Sequence, residues 1–197
     1  MTVFWVFVGI VILVIGWVIM TYNRLVALRT QVANGWSQID VQLKRRYDLI
    51  PNLVESVKGY MGHEQDTLRQ VIEARNKAVS VNPGTAPATG ATAATIAAET
   101  ALTASLGKMF ALAESYPDLK ANQSVQQLME ELSTTENKIG FARQFYNDTA
   151  TALNTAVQSF PGNMIANKFG FQNAELWRVS ESERAAVETA PKVSLQR

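Results

Sequence analysis

The chain has no cysteine, one histidine and six prolines in 197 residues, and neither charge is in surplus: 18 Lys and Arg face 17 Asp and Glu, a formal net charge of +1. Without thiols there is no disulfide, thiolate nucleophile, iron–sulfur cluster or cysteine zinc site. A single imidazole leaves little for histidine chemistry. The balanced charge gives no overall excess of cations to release counterions from nucleic acid, so no nucleic-acid partner is expected. No Gly-x-Gly-x-x-Gly, phosphate loop or Gly-x-Ser-x-Gly occurs, and the nucleotide and hydrolase templates fail. The length suits one folded domain.

Charge is absent altogether from Met1 to Asn23, and Val3 to Met20 is an almost unbroken apolar run. About 20 such residues, rising about 1.5 Å each, span the roughly 30 Å hydrocarbon core of a bilayer. Met1 to Trp5 lacks the cations of a cleaved leader, and Val18 to Tyr22 is too bulky for a cleavage site, so an uncleaved anchor over 1–23 is expected. Trp5, Trp17 and Tyr22 stand where aromatic belts form. Gly9 and Gly16, seven residues apart, share a helix face that permits close helix approach in lipid. Arg24 and Arg29 follow the span and no charged side chain precedes it. By the positive-inside rule the N-terminus lies outside and the rest of the chain in the cytoplasm, at the cell's inner membrane. Arg24 and Arg29 are headgroup candidates; Lys44, Arg45 and Arg46 lie about 30 Å further along a straight helix, beyond the reach of the surface potential.

From Leu25 through Leu28, Val32, Trp36, Ile39, Leu43, Tyr47, Ile50, Val54, Val57 and Met61 the apolar residues step by three or four. They predict one long amphipathic helix running straight out of the anchor, with its stripe resuming at Leu68, Val71 and Ile72. Pro51 is expected to kink it without ending it, because the stripe stays in phase across the proline. Small residues, with prolines and glycines, over 80–95 predict a linker at the far end of the rod. A second helix carries Ile96, Leu102, Leu106, Met109, Phe110 and Ala113 and stops near Tyr116-Pro117. Asn122 is placed to cap a third, with a stripe from Val125 and Leu128 to Leu153, Ala156 and Phe160 whose period near 3.5 predicts coiled-coil-like packing. Over 163–197 a short helix at 163–169, a turn at Gly170-Phe171, a helical turn or two at 181–188 and an extended arm are expected. Phe169, Phe171, Leu176 and Trp177 are too apolar for a solvated tail and predict packing on the bundle or on a neighbouring subunit.

Catalytic candidates do not converge. Glu64 and Asp66 are not three or four residues from His63 and leave a helix on other faces, so no metal site forms there. Glu130, Glu131 and Glu136 read as a solvated helix face. Neither catalytic residues nor a cofactor are expected. More telling are Asn34, Gln38, Asp40, Gln42, Asp48 and Asn52 beside the first stripe, and Glu136, Asn137, Arg143 and Asn147 beside the third. Asn52 is placed to satisfy the carbonyl freed by Pro51, and Glu136 and Arg143 to seek partners such as Arg45, Arg46 or Asp48, a network that fixes helix register or holds a ligand.

Several strings resemble the LemA family of small prokaryotic membrane-anchored proteins. They are Tyr22-Asn23 after the span; Trp36-Ser37-Gln38-Ile39-Asp40 running into Asp48-Leu49-Ile50-Pro51-Asn52; Tyr116-Pro117-Asp118-Leu119; Glu136-Asn137-Lys138-Ile139 with Arg143 and Tyr146-Asn147; and Phe160-Pro161-Gly162-Asn163. The resemblance implies an all-α protein: one N-terminal transmembrane helix continuous with a long antiparallel bundle of about four helices, over 24–162. It implies no enzyme. A related branch acts in forming magnetosome membranes, which points to membrane organisation. The expectation is therefore a self-assembling homo-oligomer that scaffolds or shapes the bilayer. The alternative is a monomeric adaptor or sensor holding another membrane protein. Trp36, Tyr47, Pro51, Asn52, Glu136, Arg143, Phe169 and Trp177 are the structural or contact candidates.

Overall fold

The computed structural model describes residues 1–62, 64–82, 84 and 90–178, and these form an all-α molecule. The histidine at 63, much of the linker and the tail expectations beyond 178 lie outside the described residues. Helix α1 covers Thr2–Lys58, α2 Gln65–Val81, α3 Ala93–Ala113, α4 Pro117–Ala121, α5 Gln123–Gln158 and α6 Gly162–Lys168.

Nothing interrupts α1 between the apolar run and the amphipathic stripe, so anchor and rod are one helix of 57 residues. At about 1.5 Å per residue the part beyond Asn23 rises about 50 Å. The first half is bare: its apolar window is 0 % buried by the rest of the chain, and it is the one described helix long and apolar enough to cross a membrane. Burial begins at Leu25 and continues through Val32, Trp36, Ile39, Leu43, Tyr47, Ile50, Leu53 and Val57. The transition falls where the first charged side chain, Arg24, appears.

The expected continuation of the stripe to Ile72 in one helix is corrected. The chain turns at Gly59, and α2 comes back antiparallel to α1, placing Arg75 beside Tyr47 and Asn82 beside Asp40. Met61 is wholly buried within the turn, so the apolar spacing persists through a reversal. The α2–α3 connection consequently begins and ends midway along α1 instead of at the far end of the rod. Helix α3 rises again, α4 caps the far end, and α5 descends against the whole soluble length of α1. The result is an up-down-up-down bundle. Asn122 caps α5 as expected, its Oδ1 accepting from the amides of Ser124 and Val125.

Because α2 and α3 are short, they cover only the distal half of the α1–α5 pair. The half nearer the anchor is closed by residues 171–178, which run extended along α5, and by α6 at the base. Phe171, Ala174 and Trp177 are buried and the residues between them are not. A burial period of three is that of a polyproline II-like chain, which has no internal ladder and must find partners elsewhere.

Candidate functional site

Four features of the soluble region could carry function. The first is a buried ionic cluster where α1, α3 and α5 meet. Arg46 and Glu99 are both 0 % exposed. The Arg46 guanidinium donates to Glu99, to Glu136 and, at 3.0 Å, to Thr103 Oγ1, and the Tyr47 hydroxyl donates to the other oxygen of Glu99. Burial pushes the Glu99 carboxyl above the usual carboxylate range, against the opposing pull of Arg46, of the Tyr47 hydrogen bond and of Arg143. Burial and the neighbouring Glu99 likewise push the Tyr47 hydroxyl up. The sequence reading anticipated Arg46 as a partner for Glu136. It missed Glu99, although that residue is the one charged side chain between Ala93 and Gly107.

The second lies at Pro51. Its Asn52 neighbour does not take the freed carbonyl of Tyr47: the Asn52 amide reaches the carbonyl of Asp48 at 3.4 Å, on the exposed side. Arg75 of α2 donates from Nε to the Tyr47 carbonyl at 3.2 Å instead.

The third is the seat of the extended segment. Asn147 grips the backbone of Trp177 at both polar atoms, donating to its carbonyl at 2.9 Å and accepting from its amide at 2.8 Å. Asn154 does the same to Ala174, at 2.9 and 2.7 Å. Seven helical residues rise about 10.5 Å and three polyproline II-like residues about 9.3 Å, so the two spacings come close enough for both grips to close. Trp177 stacks on Trp36 at 6.0 Å between centroids, with the Arg143 guanidinium 4.6 Å from its ring centroid. Tyr146 accepts from the Ala91 amide at 3.0 Å and donates to the Glu175 carbonyl at 2.6 Å, tying the start of α3 to the segment. Gly90 is required there twice over. Its φ is +82°, and a Cβ would lie 2.0 Å from the Tyr146 hydroxyl. Gly35 permits the close crossing of α1 and α5, since a Cβ would be 3.1 Å from the Tyr146 Cα.

The fourth is an outer apolar face on α1 and α5. Val41, Phe141 and Phe145 are 61, 74 and 43 % exposed, beside an open groove of about 490 Å³ lined by Ser37, Gln38, Gln42 and Lys138.

Of the sequence candidates, Trp36, Tyr47, Glu136, Arg143 and Trp177 fall within the core and its polar network. Pro51 and Asn52 stand on the exposed side of α1, and Phe169 is more than half exposed at the base. In the anchor, Trp5, Gly9 and Gly16 precede the bundle; Tyr22 meets Phe169 edge-on at 4.9 Å and Phe171 at 5.8 Å, and Trp17 and Arg24 line a cavity beside it. Arg29 lies over Phe171, 5.2 Å from its centroid. The aromatic tail therefore has a destination within its own chain. Among the described residues no group of three or more His, Asp or Glu side chains is placed to hold a metal ion.

These features define a class: a membrane protein in which a helical bundle grows directly out of its own apolar span. Residues 35–194 match the LemA family, and the chain belongs to that family. It is 28 % identical over 169 residues to Protein LemA of Metamycoplasma hominis, covering 85 % of this chain and 74 % of that one. It is 23 % identical over 186 residues to Magnetosome protein MamQ 2 of Paramagnetospirillum magneticum, covering 85 % and 68 %. Against Magnetosome protein MamQ of Magnetospirillum gryphiswaldense it is 23 % identical over 175 residues, covering 80 % and 64 %.

Proposed function

We propose that this is a non-enzymatic, single-pass protein of the inner membrane, with its N-terminus outside and its bundle in the cytoplasm, whose bundles associate side by side to scaffold or shape the bilayer. The observation that carries the reading is the exposed Val41, Phe141 and Phe145 face. A contiguous apolar surface on a rigid, anchored rod suits a second rod standing parallel to it. The anchor supports this: at about 100° per residue, Gly9, Gly16 and Val41 fall within about 40° of one another around α1. The glycine face in the span and the apolar face of the bundle thus look the same way, so neighbours can pack at both levels at once. Arg24 and Arg29 supply the orientation. Kinship with proteins named for the magnetosome is in keeping with membrane organisation. The adaptor reading has less support, because Glu136 is taken up by Arg46 and Asn52 binds its own helix.

The chain is free of cysteine, so Phe141→Cys in the full-length protein gives a single reporter. Oxidation in native membranes is expected to yield a disulfide-linked dimer, and electron microscopy of the same membranes to show regular arrays or altered curvature. Phe141→Glu should abolish the arrays while leaving stability within about 0.5 kcal/mol, as for a surface change. Monomers alone, scattered in smooth membranes, would overturn the reading.

A further inference from the structure

The base of the bundle presents large apolar side chains that the described residues leave more than half exposed. Phe160, Met164 and Phe169 are 80, 62 and 54 % exposed, and they flank or belong to α6. The opposite side of α6 is spoken for: Ala166 is wholly buried and Ile165 packs on the core. One face of α6 thus sits on the bundle, while Met164 on the other, with Phe160 and Phe169 flanking the helix, turns large apolar groups outward.

Their level along α1 explains the exposure. Phe160 shares a cavity of about 400 Å³ with Trp17, Thr21 and Arg24. A Cβ on Gly162 would lie 3.8 Å from Thr21 Cγ2, and the Phe169 ring meets Tyr22 at 4.9 Å. Trp17, Thr21 and Tyr22 belong to the uncharged run, the other α1 walls of the cavity being Arg24, Leu25 and Leu28, and Trp17 lies seven residues, about 10 Å, on the anchor side of Arg24. Elements that lie in a bilayer interface sink about 5–10 Å into the headgroup and acyl boundary. Lys168 is exposed next to Phe169, where a phospholipid phosphate would meet it.

We propose that α6 with Phe160 and Phe169 is a second membrane contact, a foot that lies in the same leaflet from which α1 emerges. Its occupant is the phospholipid interface: the aromatic rings enter the acyl boundary, and Lys168 with Arg24 pairs with headgroup phosphates. Two contacts side by side, one spanning and one lying flat, hold the bundle upright on the bilayer. The inference rests on the span and not on self-association.

The test uses the full-length protein in phospholipid vesicles, with single cysteines replacing Phe160, Met164, Phe169, Leu13 or Phe141 in turn, each carrying an environment-sensitive fluorophore. Lipids brominated on the upper acyl chain are expected to quench labels at 160 and 169 several-fold more than the label at 141, and aqueous iodide to reach 141 preferentially. The label at Leu13 establishes that the span is inserted. With 13 quenched, equal iodide access at 160, 169 and 141 would overturn the foot. So would protection at 160 and 169 without lipid quenching, which would assign those residues to a contact between copies.

Discussion

A proline inside a long helix deletes one amide and leaves the carbonyl four residues earlier without its donor. Here that carbonyl is Tyr47's, and Arg75 supplies the missing hydrogen bond from another helix. Arg75→Ala should cost about 1–2 kcal/mol in the natural chain, the penalty of an orphaned carbonyl on a buried residue. In a Pro51→Ala background, where the helix satisfies the carbonyl itself, the same change should cost much less. A double-mutant cycle by urea unfolding in detergent reads the difference. Sequence reasoning gave this role to Asn52 because only neighbours are visible along a helix; Arg75 arrives through the return of α2. Glu99 is the other residue whose state follows from its surroundings. Burial raises its pKa, so its contribution to stability is fully present below the ordinary carboxylate value and is lost as pH rises through the raised one. Glu99→Gln removes that titration, and unfolding midpoints should therefore shift in favour of the variant as pH rises from the ordinary carboxylate range through the raised one, whatever their order at the acid end.

At the scale of elements, residues 171–178 do the work of a helix that the bundle lacks on its lower half. Their backbone has no ladder of its own, and α5 provides one with side chains. Asn147→Ala and Asn154→Ala each remove two hydrogen bonds to main chain, costing about 1–3 kcal/mol apiece. The loss should be local: amide hydrogen exchange at Ala174 and Trp177 accelerates and Trp177 fluorescence shifts to the red, while α1 and α2 keep their protection. The apolar content of this segment was legible, since Phe171 and Trp177 are too large for solvent. Its seat was not, because two asparagines seven residues apart look like ordinary polar positions until a backbone lies across them. The three long helices α1, α3 and α5 were legible by contrast, since each buries a continuous stripe and Asn122 marks where α5 starts. Phe160 extends that stripe in sequence yet falls beyond the helix end at Gln158, out of the core and at the base.

For the whole molecule, the bundle has two tiers. The distal one is sealed by α2 and α3 around the Arg46–Glu99 cluster, and the proximal one by the extended segment and α6. The reversal at Gly59 that creates the tiers was hidden from periodicity because Met61 and Leu68 keep the turn's surroundings apolar. Anchor, lower tier and upper tier are threaded on one unbroken helix, so the molecule has no swivel. A rotation of the span about its axis is a rotation of every surface above it, and the angular phase between them is set by residue count alone. One alanine inserted between Asn23 and Arg24 lifts the bundle by only about 1.5 Å but turns it by about 100° relative to the span. Thiol cross-linking through Phe141→Cys should fall sharply with one added residue, stay low with two, and recover with seven, when two full turns bring the faces back into phase.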